Sequence, residues 1–159
     1  MPAVKWIFEI EQDYEFNIRE HLPCDFTEAC EFNDRRGIKR LEIHPDGRLV
    51  ILAGYAWDGC TPKFALWDIV FGIPDGIPNV NTREPKAYYA SLVHDVLYQF
   101  LSVHMPISRT HADTIFLELL HRDEFAPRWM YYWAVRIFGG AFLQATRWKR
   151  KQGGSKTAL

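Results

Sequence analysis

Ile38-Lys39-Arg40-Leu41-Glu42-Ile43-His44-Pro45-Asp46-Gly47-Arg48-Leu49-Val50-Ile51-Leu52 is the stretch on which the fold class turns. Apolar and polar residues alternate along the first arm, and the second arm ends in a run of aliphatics. Between them Pro45-Asp46-Gly47 fixes one φ and permits a positive one, so the segment predicts an antiparallel β-hairpin. Upstream, Val4–Ile10 and Tyr14–Ile18 alternate with the same period of two across a short polar turn and are expected to pair with each other. Downstream the period lengthens. Pro85 suits the first turn of a helix running to about Val103, apolar on nearly every face, and Pro106 ends it. Ser108 is a good N-cap for a second helix with an apolar stripe at Ile115, Phe116, Leu119 and Leu120, and Pro127 opens the last and longest helix. Strands followed by helices predict an α+β domain, with N-terminal antiparallel β-hairpins packed on a C-terminal group of three to four α-helices. A short helix over Lys63–Phe71 and a Gly/Pro/Asn-rich loop over Gly72–Pro85 are expected between the two halves.

Composition narrows the function classes. With 159 residues, 48% hydrophobic and 15% aromatic, the chain can bury a sizeable core, expected as one domain over residues 1–150 followed by a flexible polar tail over 151–159. A formal net charge of −1 gives no general attraction to nucleic acid or to an anionic membrane. The basic run Arg147-Trp148-Lys149-Arg150-Lys151 is local and reads as a solvated helix end. Cys24, Cys30 and Cys60 are odd in number and lack C-x-x-C spacing, which predicts reduced thiols in a cytosol-like compartment. No basic segment followed by an apolar one opens the chain, and no stretch approaches a transmembrane length; Trp129–Phe142 comes closest but is interrupted by Arg136 and Gly139-Gly140.

The chemistry-bearing segment is Leu92-Val93-His94-Asp95-Val96-Leu97-Tyr98, a titratable pair in an otherwise apolar helix. Buried ionisable groups cost several kcal/mol, in rough terms, unless they are partnered. Neighbours on a helix diverge by about 100°, so His94 and Asp95 cannot serve each other and each needs a partner from another segment. Two segments offer partners. Ser108-Arg109-Thr110-His111-Ala112-Asp113 places Asp113 one turn after Arg109, free to pair with it, to orient His94 or to join Asp95 at a cation. Gly54-Tyr55-Ala56-Trp57-Asp58-Gly59-Cys60-Thr61-Pro62 leaves the hairpin with Asp58 beside a glycine. A divalent cation, Ca²⁺ or Mg²⁺, held by Asp58, Asp95, Asp113 and carbonyl or water oxygens would have a hard-ligand set, with His94 as general base towards a metal-bound water. A plainer reading stands beside it: His94 is a core histidine, Asp95 caps the loop, and Arg109 with Asp113 is an ordinary helix pair.

Gly54-Tyr55-x-Trp57-Asp58-Gly59-x-Thr61-Pro62, then His94-Asp95-x-Leu97-Tyr98, then Arg109-x-x-x-Asp113 followed by Phe116, resembles the DUF1353 family. The resemblance spans about Ile38 to Phe138. Members are small, functionally uncharacterised proteins commonly encoded by tailed bacteriophages and prophages. It implies a phage or prophage origin and one compact domain, and supplies no activity. Under it, Trp57, Gly59, Thr61, Tyr98 and Arg109 are structural or binding residues. A second, local likeness is to secreted phospholipases A2, where His-Asp-x-x-Tyr lies on a helix and a later Asp on an antiparallel one. That likeness implies His94 as the water-activating base, Asp113 as its orienting partner and Asp95 as a calcium ligand.

Two functions follow as expectations. One is a phage-encoded structural or accessory protein whose motifs lock the hairpin loop onto the helices and whose surface binds other virion proteins or a host protein. The other is a divalent-cation-dependent hydrolase with His94 and Asp113 as catalytic residues and Asp95 and Asp58 as metal ligands. Either places the chain in the host cytoplasm or the virion, without secretion by a signal peptide. Oligomeric state is left open.

Overall fold

The computed structural model describes residues 8–20, 26–57, 59, 78–142 and 154–159. The fold is α+β, with antiparallel strands in the N-terminal part and three helices following them among the described residues. We number the strands β1 (Phe8–Glu9), β2 (Tyr14–Asn17), β3 (Cys30–Asn33), β4 (Lys39–Ile43), β5 (Arg48–Ile51), β6 (Ala56–Trp57) and β7 (Ser155–Ala158), and the helices α1 (Tyr88–Phe100), α2 (Arg109–Arg122) and α3 (Arg128–Phe142).

β4 and β5 form the expected hairpin, with Leu41 opposite Ile51 and Ile43 opposite Leu49, all four fully buried. Alternation sends these side chains to one face, and burying that face drives the pairing. The turn closes through His44 N–H to Arg48 O at 2.8 Å and Gly47 N–H to His44 O at 2.9 Å. Gly47 is required twice over: its φ is 86°, and a Cβ there would stand 2.5 Å from Arg19 Cγ.

The two N-terminal segments do not pair with each other. β1 pairs with β6 in a two-stranded sheet, while β2 pairs with β5 in a five-stranded sheet of order β2-β5-β4-β3-β7. The reason lies in β5. Leu49, Val50 and Ile51 are all buried, as in an interior strand, where backbone N–H and C=O groups on both edges must be paired, and β2 pairs the edge that β4 leaves open. β3, a short Cys-Glu-Phe-Asn alternation, buries Cys30 and Phe32 and pairs with β4. Where composition predicts a flexible tail, Ser155–Ala158 is the edge strand β7 on β3, and Leu159 N–H reaches Ala29 O at 3.0 Å. All four residues of β7 are exposed, so backbone pairing rather than side-chain burial attaches it.

α1 lies between the sheet and α2 and is buried except at Tyr89 and Asp95. Phe100 packs on Phe32 with ring centroids 5.4 Å apart, and Tyr89 stacks on Tyr14 at 4.6 Å. Ser108 caps α2, its hydroxyl accepting from His111 N–H at 3.2 Å, and the stripe Ala112, Ile115, Phe116, Leu119 and Leu120 is buried. α3 packs on α2, with Tyr131 edge-on to Phe125. The buried apolar side chains of the five-stranded sheet, β6 and the three helices form one cluster. The expected helix over 63–71 lies outside the described residues. Because Phe32 is fully buried at the sheet–α1 contact, Phe32→Ala is expected to lower unfolding free energy by about 3–5 kcal/mol in urea titrations, against about 1 kcal/mol for the cap variant Ser108→Ala.

Candidate functional site

His94 and Tyr98 are one turn apart on the side of α1 that meets α2, and Asp113 faces them from α2 with no exposed surface. One carboxylate oxygen, Oδ1, accepts from His94 Nε2–H at 2.9 Å and from the Tyr98 hydroxyl. The other, Oδ2, accepts from Arg136 Nη1–H at 3.0 Å and lies 3.9 Å from Arg109 Nε. Arg109 also donates to the Tyr98 oxygen at 3.1 Å and to the carbonyls of Val135 and Arg136 on α3 at 3.0 and 2.6 Å. One buried carboxylate therefore joins all three helices.

A carboxylate with no exposure survives only if its charge is matched. Burial pushes the Asp113 carboxyl up, but the hydrogen bonds from His94 and Tyr98 and the Arg136 guanidinium outweigh it and leave its pKa below the ordinary 3.8. Burial, then the bond to Asp113, drives the Tyr98 phenol well above its usual range, so it acts as a neutral donor. An ionised Asp113 can only accept, so Nε2 of His94 carries a proton, and in the neutral form of the ring the lone pair lies on Nδ1. Among the described residues no hydrogen bond reaches Nδ1. The ring packs between Tyr98 and Phe116, with centroids at 4.1 and 4.7 Å, and 9% of the residue remains exposed.

The upstream motif docks on other positions of α1. Trp57, fully buried, donates from Nε1 to Ser91 Oγ at 3.0 Å, and Ser91 passes its own proton to Tyr88 O at 2.9 Å. The Tyr55 hydroxyl donates to Asp95 Oδ2 at 2.7 Å and lies 3.1 Å from Gln99 Oε1. Gly59 has φ 75°, a conformation that glycine adopts at little cost. The structure thus groups His94, Tyr98, Arg109 and Asp113, and sets Asp95 with Tyr55 and Gln99. Asp58 and Thr61 lie outside the described residues. Among the described residues no group of three or more His, Cys, Asp or Glu side chains is arranged to hold a metal ion. Both oxygens of Asp113 are engaged by donors, two of them on guanidinium or imidazole groups.

Arg136 and Gly139 are site residues that sequence reasoning did not assign. Their signal was present as interruptions of an apolar helix: an arginine there needs a carboxylate, and Gly139 gives the network room. A Cβ at Gly139 would stand 2.9 Å from the Tyr98 hydroxyl and 3.1 Å from Arg109 Nη2. Tyr55, Ser91 and Gln99 had no charge or period to mark them as partners.

Asp113→Asn removes the charge that Arg109 and Arg136 face and is expected to cost about 3–5 kcal/mol. Because the folded carboxyl titrates below its unfolded value, the stability it contributes is present above the ordinary carboxylate range and is lost as pH falls through that range towards the folded pKa. Asp34 and Glu42 are lowered as well, so the wild type loses stability in acid from several groups. Urea melts from neutral pH to below the carboxylate range should show a shallower loss in Asp113→Asn than in the wild type.

The model of a family described as "Protein of unknown function (DUF1353)" matches residues 49–135, more than half of the 159-residue chain. No curated protein and no solved structure matches it. The matched span opens in β5, closes within α3 and contains Trp57, His94, Tyr98, Arg109 and Asp113. By that match the chain belongs to the DUF1353 family, whose function is unknown.

Proposed function

We propose that the protein is a hydrolase in which His94 is the general base and Asp113 its orienting partner. The observation that carries this reading is the 2.9 Å bond from Nε2 to a buried carboxylate, which fixes the tautomer with Nδ1 as the basic atom. From there Nδ1 takes a proton from water as the water oxygen attacks an ester carbonyl or phosphorus, the resulting imidazolium is held by the Asp113 charge, and the bond to the ester's alcohol oxygen then breaks as the imidazolium returns that proton to the departing alkoxide, leaving an acid, an alcohol and a neutral His94. Tyr98 and Arg109 position the carboxylate rather than the substrate. Asp95, together with Asp58, would hold a divalent cation, Ca²⁺ or Mg²⁺, whose chemistry when bound is to polarise the scissile group.

A second reading is a structural or accessory role for a phage or prophage protein. It is favoured by the way Asp113 ties three helices, a use that needs no substrate. The readings separate under one substitution. If His94 is the base, His94→Gln is expected to lower turnover of carboxylic, phosphate or phospholipid esters by about 10²–10⁴-fold while the melting temperature moves by only a few degrees. Absence of hydrolysis across those substrates, with a large loss of stability in His94→Gln, supports the accessory role instead. For the cation, the expected result is a saturable rise in melting temperature with Ca²⁺ or Mg²⁺ that Asp95→Asn removes.

A further inference from the structure

Little side-chain contact holds β7 to the fold. Its residues, Ser155-Lys156-Thr157-Ala158, are all exposed, so the strand buries none of them against the core. The register sets Lys156 opposite Phe32 and Ala158 opposite Cys30, so these two share the core-facing side of the sheet, while Ser155 and Thr157 lie on the other. A lysine and a methyl group are all that β7 sets beside the core. Besides the ladder with β3 and the bond from Leu159 N–H to Ala29 O, one side-chain hydrogen bond leaves β7 among the described residues, from Lys156 Nζ to His104 O at 3.3 Å. β3 is attached differently. Its Cys30 and Phe32 are buried, Phe32 completely, and its other edge pairs with β4, where Ile43 stands opposite Cys30 and Leu41 opposite Phe32.

We infer that β7 is a strap that opens on its own while the rest of the fold stays closed, baring the outer edge of β3 and the thiol of Cys30. A segment opens at the cost of its own contacts. Exposed backbone hydrogen bonds with little apolar burial put a unit at the low end of the stability range, and buried packing puts it at the high end. β7 has the first kind of attachment and β3 the second, so the ladder parts between them rather than behind β3. Closed, the strap shields Cys30. The residue is 4% exposed, with Ala158 directly across from it and Lys156 diagonal to it on the same face. Burial raises the thiol above its ordinary pKa and the Lys156 ammonium opposes that rise, so the charge carried by β7 is felt at the sulfur. Opening withdraws both neighbours and leaves backbone groups of β3 without their ladder partners, the form of edge that accepts another extended segment. Gly154 lets the strap seat: a Cβ there would overlap the carbonyl oxygen of Asn33 and stand 3.2 Å from Phe100 Cε1. The strap is independent of the chemistry proposed at His94.

Iodoacetamide alkylation of the full chain in urea below the unfolding transition, read at Cys30 by peptide mass spectrometry beside amide exchange of α1, tests the strap. Cys30 is expected to be less protected than the slowest amides of α1 by about tenfold or more. Its labelling rate should hardly respond to urea, because detaching exposed residues uncovers little surface. Gly154→Val, which prevents seating, is expected to raise the Cys30 rate by about tenfold or more while the α1 amides keep their protection. Should that variant fail to fold, Lys156→Ala is expected to raise the rate about threefold by removing the bond to His104 O. Cys30 protection that equals that of α1 and falls with the same urea slope overturns the strap. So does a Cys30 that reacts no faster in a folded Gly154→Val, or in Lys156→Ala where that takes its place, than in the wild type.

Discussion

The charge of Asp113 is the constraint to which the helical half of the molecule answers. A carboxylate without solvent contact must be met by donors on both oxygens, and a single helix cannot supply them. α1 contributes an imidazole and a phenol, α2 a guanidinium one turn away, and α3 a second guanidinium. Each donor imposes a further condition. Arg109, once turned towards Tyr98, has N–H groups left over, and they reach two carbonyls of α3. That approach is close enough that position 139 has no room for a side chain. A hydrogen-bond requirement at one atom thereby sets the contact geometry of three helices.

The same arrangement is what gives His94 a chemical direction. An imidazole whose Nε2 proton is held by a buried anion has one basic nitrogen and one orientation. The residues around that bond keep Asp113 ionised and fixed. The sheet reaches this centre indirectly. Trp57 and Tyr55 anchor the segment around β6 to α1 through Ser91 and Asp95, on positions other than those that meet α2. α1 is therefore clamped from two directions, which explains why almost all of its surface is buried.

Local pattern was enough for the elements. Period-two alternation around Pro45-Asp46-Gly47, the Ser108 cap and the prolines at 85, 106 and 127 act over a few residues and mark strand, turn and helix in the sequence itself. The presence of a titratable pair in an apolar helix and the divergence of His94 from Asp95 follow likewise from helical geometry alone. Pairing of distant segments did not. β1 and β2 carry equivalent alternation, yet β2 pairs with β5 and β1 with β6, a choice made by packing between distant segments. β7 has no apolar signal, because backbone pairing rather than burial attaches it. At the site, Asp113 had three open uses in the sequence, and the packing of α1 on α2 selected His94 while α3 brought Arg136. Residue type and short spacing determine what a side chain can do; which partner it meets depends on long-range packing, where burial and charge matching are decided across the whole chain.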